Sequence, residues 1–167
     1  MGAAISESAP ALSRVRFFVE SLVGTWFFTG YSPLAPATVT SAVVLVPAFY
    51  LARLPLWHLV VVLAFFVVGV PVAGDLERIW GHDPGRVTID EVVGTLITFL
   101  LNPVSLAGLA VGFVVWRFFD IVKLPFIHRS QRLPGGWGIM IDDVLAGLCA
   151  NLVLRIFLLY LPGLRFR

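Results

Sequence analysis

From residue 56 to residue 73 the chain carries no formal charge, and its one polar ring is His58. It is one of four apolar runs; the others cover residues 38–51, 92–116 and 144–161. A helix needs about 20 apolar residues to cross a bilayer. Runs 56–73 and 144–161 nearly meet that length, and run 38–51, with Pro47 inside it, is short. Only 13% of the residues are charged and 59% are hydrophobic, against about 25% charged in an ordinary soluble domain. So few charges cannot cover a water-exposed globule, which argues against a soluble monomer, a disordered chain and a nucleic-acid-binding domain. The expectation is an all-α, polytopic membrane protein, because backbone polar groups in lipid must be satisfied within each segment. It has about four membrane-embedded helical segments in a single domain, 1–167. Residues 1–13 are expected to be a flexible tail. Residues 17–29, rich in Phe and Trp and following Arg14 and Arg16, read as an interfacial helix.

Run 92–116 decides the topology. As one helix of 25 residues it crosses once and separates the polar stretches 75–91 and 117–143. Broken at Asn102-Pro103, it becomes a re-entrant hairpin that returns to its starting side. Proline restricts the residue before it and cannot continue a helical hydrogen-bond ladder. The hairpin also gathers Arg78, Arg86, Arg117, Lys123, Arg129 and Arg132 with Arg14 and Arg16, in keeping with the Lys/Arg excess of cytoplasmic loops. The hairpin is the expectation.

Eight of the ten acids lie between residues 75 and 143, so they gather at the edges of the runs. Asp90-Glu91 precedes Val92, and Asp142-Asp143 precedes Val144. Acids there can cap a helix. Each pair is doubled, however, and flanked by apolar residues, where ionisable groups are costly and mark function. If the pairs converge, like charges repel unless a divalent ion holds them. With only oxygen ligands on offer and no Cys or His cluster, the ion would be hard: Mg²⁺ first, then Mn²⁺ or Ca²⁺. Arg117, Asp120 and Lys123 follow one another at i, i+3, i+6 along one broad helix face. They read either as an ion-pair ladder or as cations for phosphate oxygens. The Gly135-Gly136-Trp137-Gly138 turn offers backbone N–H groups to an anion. Cys149 and Arg155 have the spacing of a cysteine phosphatase, but the residues between them read as helix. Ser32 to Thr38 reads as a rigid turn with Thr38 as the next N-cap.

Three motifs carry a family resemblance: Thr88-Ile89-Asp90-Glu91-Val92-Val93-Gly94, Arg117-Phe118-Phe119-Asp120-Ile121-Val122-Lys123, and the run from Gly135 through Asp142-Asp143 to Gly147. With the weaker Ser32-Pro33…Pro36 turn, the chain resembles the phosphatidylglycerophosphatase A family of bacterial membrane lipid phosphatases. The resemblance implies Mg²⁺-dependent removal of the terminal phosphate of phosphatidylglycerophosphate, giving phosphatidylglycerol. It implies a multi-pass protein of the bacterial inner membrane, with the active site facing the cytoplasm and a phospholipid as substrate. It marks Asp90, Glu91, Asp120, Asp142 and Asp143 as catalytic. On this reading Asp90, Glu91, Asp142 and Asp143 hold metal, and Arg117, Lys123 and Arg86 bind phosphate. Two departures stand out. Ala37 replaces the family's usual glycine, which would be strained if that position had a positive φ. The loop 124–134 is about one residue short and lacks an Asp. Two rival readings remain. One is a small transporter or channel, whose acids would line the middle of its spans; the other is a family member that has lost activity.

Overall fold

The computed structural model describes residues 13–166, so the tail expected over 1–13 lies almost wholly outside the described residues. Seven helices account for nearly all regular structure: α1 (Arg14–Gly24), α2 (Pro36–Leu51), α3 (Pro55–Trp80), α4 (Ile89–Phe99), α5 (Leu106–Val122), α6 (Pro125–Ser130) and α7 (Gly136–Tyr160). Short 3₁₀ turns cover Thr29–Tyr31 and Pro162–Leu164. Among the described residues there is no strand, only an isolated bridge between Val104 and Arg165.

Two helices, α3 with 26 residues and α7 with 25, are long and apolar enough to cross a membrane. At 16 residues, α2 is apolar but shorter. The exterior of these helices is greasy. Val67 on α3 is 68% exposed and Leu152 on α7 is 62% exposed, while Asp142 and Asp143 are 4% and 3% exposed. Apolar surface outside and carboxylates inside is the arrangement suited to lipid rather than water.

The chain does break at Asn102-Pro103. α4 ends at Phe99 and α5 begins at Leu106, with Ser105 accepting a hydrogen bond from Gly108 N as N-cap. At about 1.5 Å per residue, the 11 residues of α4 rise only about 16 Å, half of a bilayer's hydrocarbon. Ten of them, all but Asp90, are buried. α4 is the central helix, lying along α7 with α2, α3 and α5 around it. Its C-terminal carbonyls therefore end in the protein interior, where unpaired acceptors are costly. Asn151 of α7 satisfies them: its Nδ2 donates to the carbonyls of Ile97 (2.9 Å), Thr98 (3.1 Å) and Leu100 (2.8 Å). Asn102 Nδ2 donates to Thr98 O and to Asn151 O, both at 3.3 Å.

Glycines set the approach of the helices. A Cβ on Gly147 of α7 would stand 2.6 Å from Gly94 O of α4, and one on Gly136 would collide with Val70 O of α3. The glycines at the start of α7 thus serve helix packing. Gly138 likewise faces the carbonyls of Gln131 and Leu133.

Three local expectations are corrected. The N-terminal helix stops at Gly24 instead of running to residue 29, because Trp26, Phe27 and Phe28 all adopt left-handed backbone. α2 begins at Pro36 with Ala35 (φ 44°) at the N-cap, so Thr38 lies inside the first turn. Ala37 is helical and does not have a positive φ, so alanine is unstrained there.

Candidate active site

The site forms where three helix ends meet: the start of α4, the end of α5 and the second turn of α7. Arg117 on α5 makes the central contacts. Its Nη1 donates to Glu91 Oε2 at 2.7 Å and lies 2.9 Å from Asp120 Oδ2. These ion pairs put the polar stretches 75–91 and 117–143 at the same end of the molecule, so α4 and α5 turn back on one another. Glu91 is held on its other side by Ser41 of α2, whose Oγ donates at 2.8 Å and accepts from Trp116 Nε1 at 3.2 Å.

Asp142 belongs to a second knot. Its Oδ2 accepts from Lys123 Nζ at 2.6 Å and from Gln131 Nε2 at 2.9 Å. Lys123 also lies 4.0 Å from Asp120. It occupies the C-cap of α5 with φ 33°, a left-handed backbone in a residue with a long side chain. Strain of that kind persists where the surroundings over-determine it, and it clusters at functional sites. Burial alone would lower the pKa of the Lys123 ammonium. Its hydrogen bond to Asp142 and the charges of Asp142, Asp143 and Asp120 outweigh that and raise it.

The two acid pairs differ. Asp90 and Glu91 sit in the first turn of α4, where the helix dipole favours them. Asp142 and Asp143 do not cap anything. α7 starts at Gly136, so they stand in its second turn, about 10 Å in from its start at 1.5 Å per residue. Capping does not explain them.

Glu91, Asp120 and Asp143 each present a carboxylate oxygen within 4.8 Å of the other two. Close by, Asp90 Oδ1, Asp142 Oδ1 and Asp143 Oδ2 are buried without a hydrogen-bond partner. Five carboxylates thus face two cations, Arg117 and Lys123. Unpartnered buried anions are among the most expensive features a protein can carry. An all-oxygen donor set with surplus negative charge fits a hard divalent ion.

The geometry changes the weighting of the residues marked in the sequence. Asp120, expected to be catalytic but not metal-binding, is one of the three converging carboxylates. Asp142, expected as a ligand, has one oxygen engaged by Lys123 and Gln131 and the other buried without a partner. Arg86 stands apart, with its guanidinium 5.3 Å from the Tyr31 ring centroid, beside the Ser32-Pro33 turn. Ser41 and Gln131 were not anticipated. Ser41 lies within an apolar run and Gln131 in a loop, and neither belongs to a recognisable spacing. Cys149 and Arg155 both fall inside α7, so no phosphate-binding loop separates them.

Comparison with known proteins identifies the family. The family model for phosphatidylglycerophosphatase A matches residues 22–158. The chain is 33% identical over 148 residues to a Bacteroides thetaiotaomicron protein named "Putative phosphatidylinositol-3-phosphatase", covering 83% of this chain and 93% of the relative. It is 34% identical over 132 residues to phosphatidylglycerophosphatase A of Escherichia coli, covering 76% of each. It is 42% identical over 74 residues to the Haemophilus influenzae protein of that name, covering 43% of this chain and 45% of the relative. No solved structure matches. With its model spanning the three converging helix ends, the chain belongs to the phosphatidylglycerophosphatase A family and is a phosphatase.

Proposed function

We propose that the chain hydrolyses the terminal phosphate monoester of phosphatidylglycerophosphate, releasing phosphate and phosphatidylglycerol, with Mg²⁺ as cofactor. The observation that carries this reading is the convergence of Glu91, Asp120 and Asp143 beside Arg117 and Lys123. Those three carboxylates would hold the ion. When bound, it supplies positive charge at the phosphoryl oxygens and lowers the pKa of bound water.

The chain's own groups do the rest. Arg117 and Lys123 neutralise phosphate oxygens as charge develops, and Gln131 and Lys123 orient Asp142. In the reaction the phosphorus–oxygen bond to the headgroup glycerol breaks and a water oxygen takes its place on phosphorus. Asp90, with a buried oxygen that has no partner, is the free acceptor for that water's proton, which then passes to the leaving alkoxide. Within each acid pair one residue binds the ion and the other handles protons or position, as the roughly 100° between successive helical residues favours.

The greasy exterior supports an integral location, with α3 and α7 crossing and the α4–α5 hairpin re-entrant. The Lys and Arg residues around the site support a cytoplasmic face at the bacterial inner membrane. Acids gathered at helix ends, rather than along the middle of the spans, favour hydrolysis over ion transport.

The test is phosphate release by purified protein from phosphatidylglycerophosphate and, in parallel, from phosphatidylinositol-3-phosphate. The second substrate is included because of the relative that covers most of this chain. The expected result is release from phosphatidylglycerophosphate that stops in excess EDTA and returns with Mg²⁺. Release unchanged by chelator would refute the metal role, and preference for the inositol lipid would overturn the substrate.

A further inference from the structure

Charge is segregated along the long axis of this molecule. Every carboxylate among the described residues sits at or near the end where α3 and α5 finish and α4 and α7 begin. The other end carries Arg53, Arg155 and Arg165 and, among the described residues, no acid. Arg155 lies twelve positions beyond Asp143 on α7, or about 18 Å along the axis.

Arg155 and Arg165 line a cavity of about 470 Å³ together with Asn102, Leu101, Leu158 and Phe166, among others. Arg155 Nε donates to Asn102 Oδ1 only at 3.4 Å, which leaves most of its donors free. Arg53 does not line the cavity but stacks on Phe166, which does. Its guanidinium stacks 3.8 Å from the Phe166 ring centroid and 4.3 Å from that of Phe49, and its buried Nε has no hydrogen-bond partner.

Helix dipoles do not account for this charge. Three helices (α2, α4, α7) end here and two (α3, α5) begin here. At about half a charge each they sum to roughly −0.5, against three guanidinium groups. Among the described residues, no anion offsets these guanidinium groups. Guanidinium donors match the oxygens of a phosphate. The apolar part of the lining is open to the exterior, with Leu101 57% and Leu159 63% exposed, which suits the glyceryl and acyl portions of a lipid better than a free ion.

We infer that this pocket binds the phosphodiester of an anionic glycerophospholipid in the leaflet opposite the acid cluster, at a site separate from the one proposed for hydrolysis. Detergent-solubilised full-length protein, exchanged into equimolar phosphatidylglycerol and phosphatidylcholine, would be read by native mass spectrometry for retained lipid. Wild type is expected to retain phosphatidylglycerol preferentially. Arg155→Gln/Arg165→Gln is expected to reduce that preference by about tenfold or more, as loss of two charge-assisted contacts implies. Arg129→Gln/Arg132→Gln, at the other end, is expected to leave it unchanged. Hydrolysis assayed in detergent should survive the Arg155/Arg165 change, which separates this site from the proposed active site. Equal retention of both lipids by wild type, or an undiminished preference in the Arg155/Arg165 variant, overturns the inference. So does displacement of the lipid by millimolar inorganic phosphate, since the ligand would then be a small anion.

Discussion

Asp143→Asn is expected to lower phosphate release by about 10³-fold, the scale on which preorganised electrostatic groups act in catalysis. The reason is positional. Asp143 is one of three carboxylates within 4.8 Å of one another, and its second oxygen is buried without a partner. The same substitution is expected to raise the melting temperature of metal-free protein, because it removes one of five carboxylates crowded around two cations. It is also expected to abolish the thermal shift that Mg²⁺ produces in wild type, since ligand stabilisation scales with occupancy. Turnover, apo stability and metal response thus move in three predetermined directions. A merely structural role predicts a loss of stability instead. Near-normal turnover, or a retained Mg²⁺ shift, would remove Asp143 from the site.

Asn151→Leu is expected to destabilise the fold by about 3 kcal/mol, the sum of buried acceptors left unpaired at about 1–3 kcal/mol each, partly offset by a better apolar side chain. Asn151 is 9% exposed, and its amide serves three carbonyls at the end of α4. The measurement is the unfolding midpoint in detergent, with Leu152→Asn as the control: Leu152 is 62% exposed on the same helix. Asn151→Leu should also impair catalysis, because α4 carries Asp90 and Glu91 at its other end. An unchanged midpoint would show that α4's end is satisfied some other way.

The coarse arrangement could be read from the chain alone because it rests on two strong signals. One is the length of the apolar runs, which yields α2, α3 and α7. The other is Asn102-Pro103, which a helix cannot traverse and which separates α4 from α5. The acids were visible because charge next to apolar sequence is rare. What escaped was set by tertiary contact. Ser41 looks like an ordinary small residue of an apolar helix until Glu91 and Trp116 arrive from positions 50 and 75 residues later. Asn151 looked like an interruption in a span; its role depends on where α4 stops. The start of α7 was placed too late because Gly135-Gly136-Trp137-Gly138 has the composition of a turn. Gly136 and Gly138 are helical instead, and each fills a place without room for a side chain, Gly136 against the backbone of α3 and Gly138 against the carbonyls of Gln131 and Leu133. Arg86 has the right charge for phosphate but rests on Tyr31, a partner that nothing in its local sequence indicates.

The contact between Gly94 and Gly147 bears on which ion the proposed site would admit. Glu91 sits three residues before one of these glycines and Asp143 four residues before the other. Two jaws of the carboxylate triad are thus mounted within about a turn of a point where main chain meets main chain. The spacing of their roots is set by backbone thickness, which cannot adjust as side-chain rotamers do. If the proposed ion binds here, a jaw held that way would favour the smaller, octahedral ion over a larger one that needs six to eight oxygens and a yielding cage.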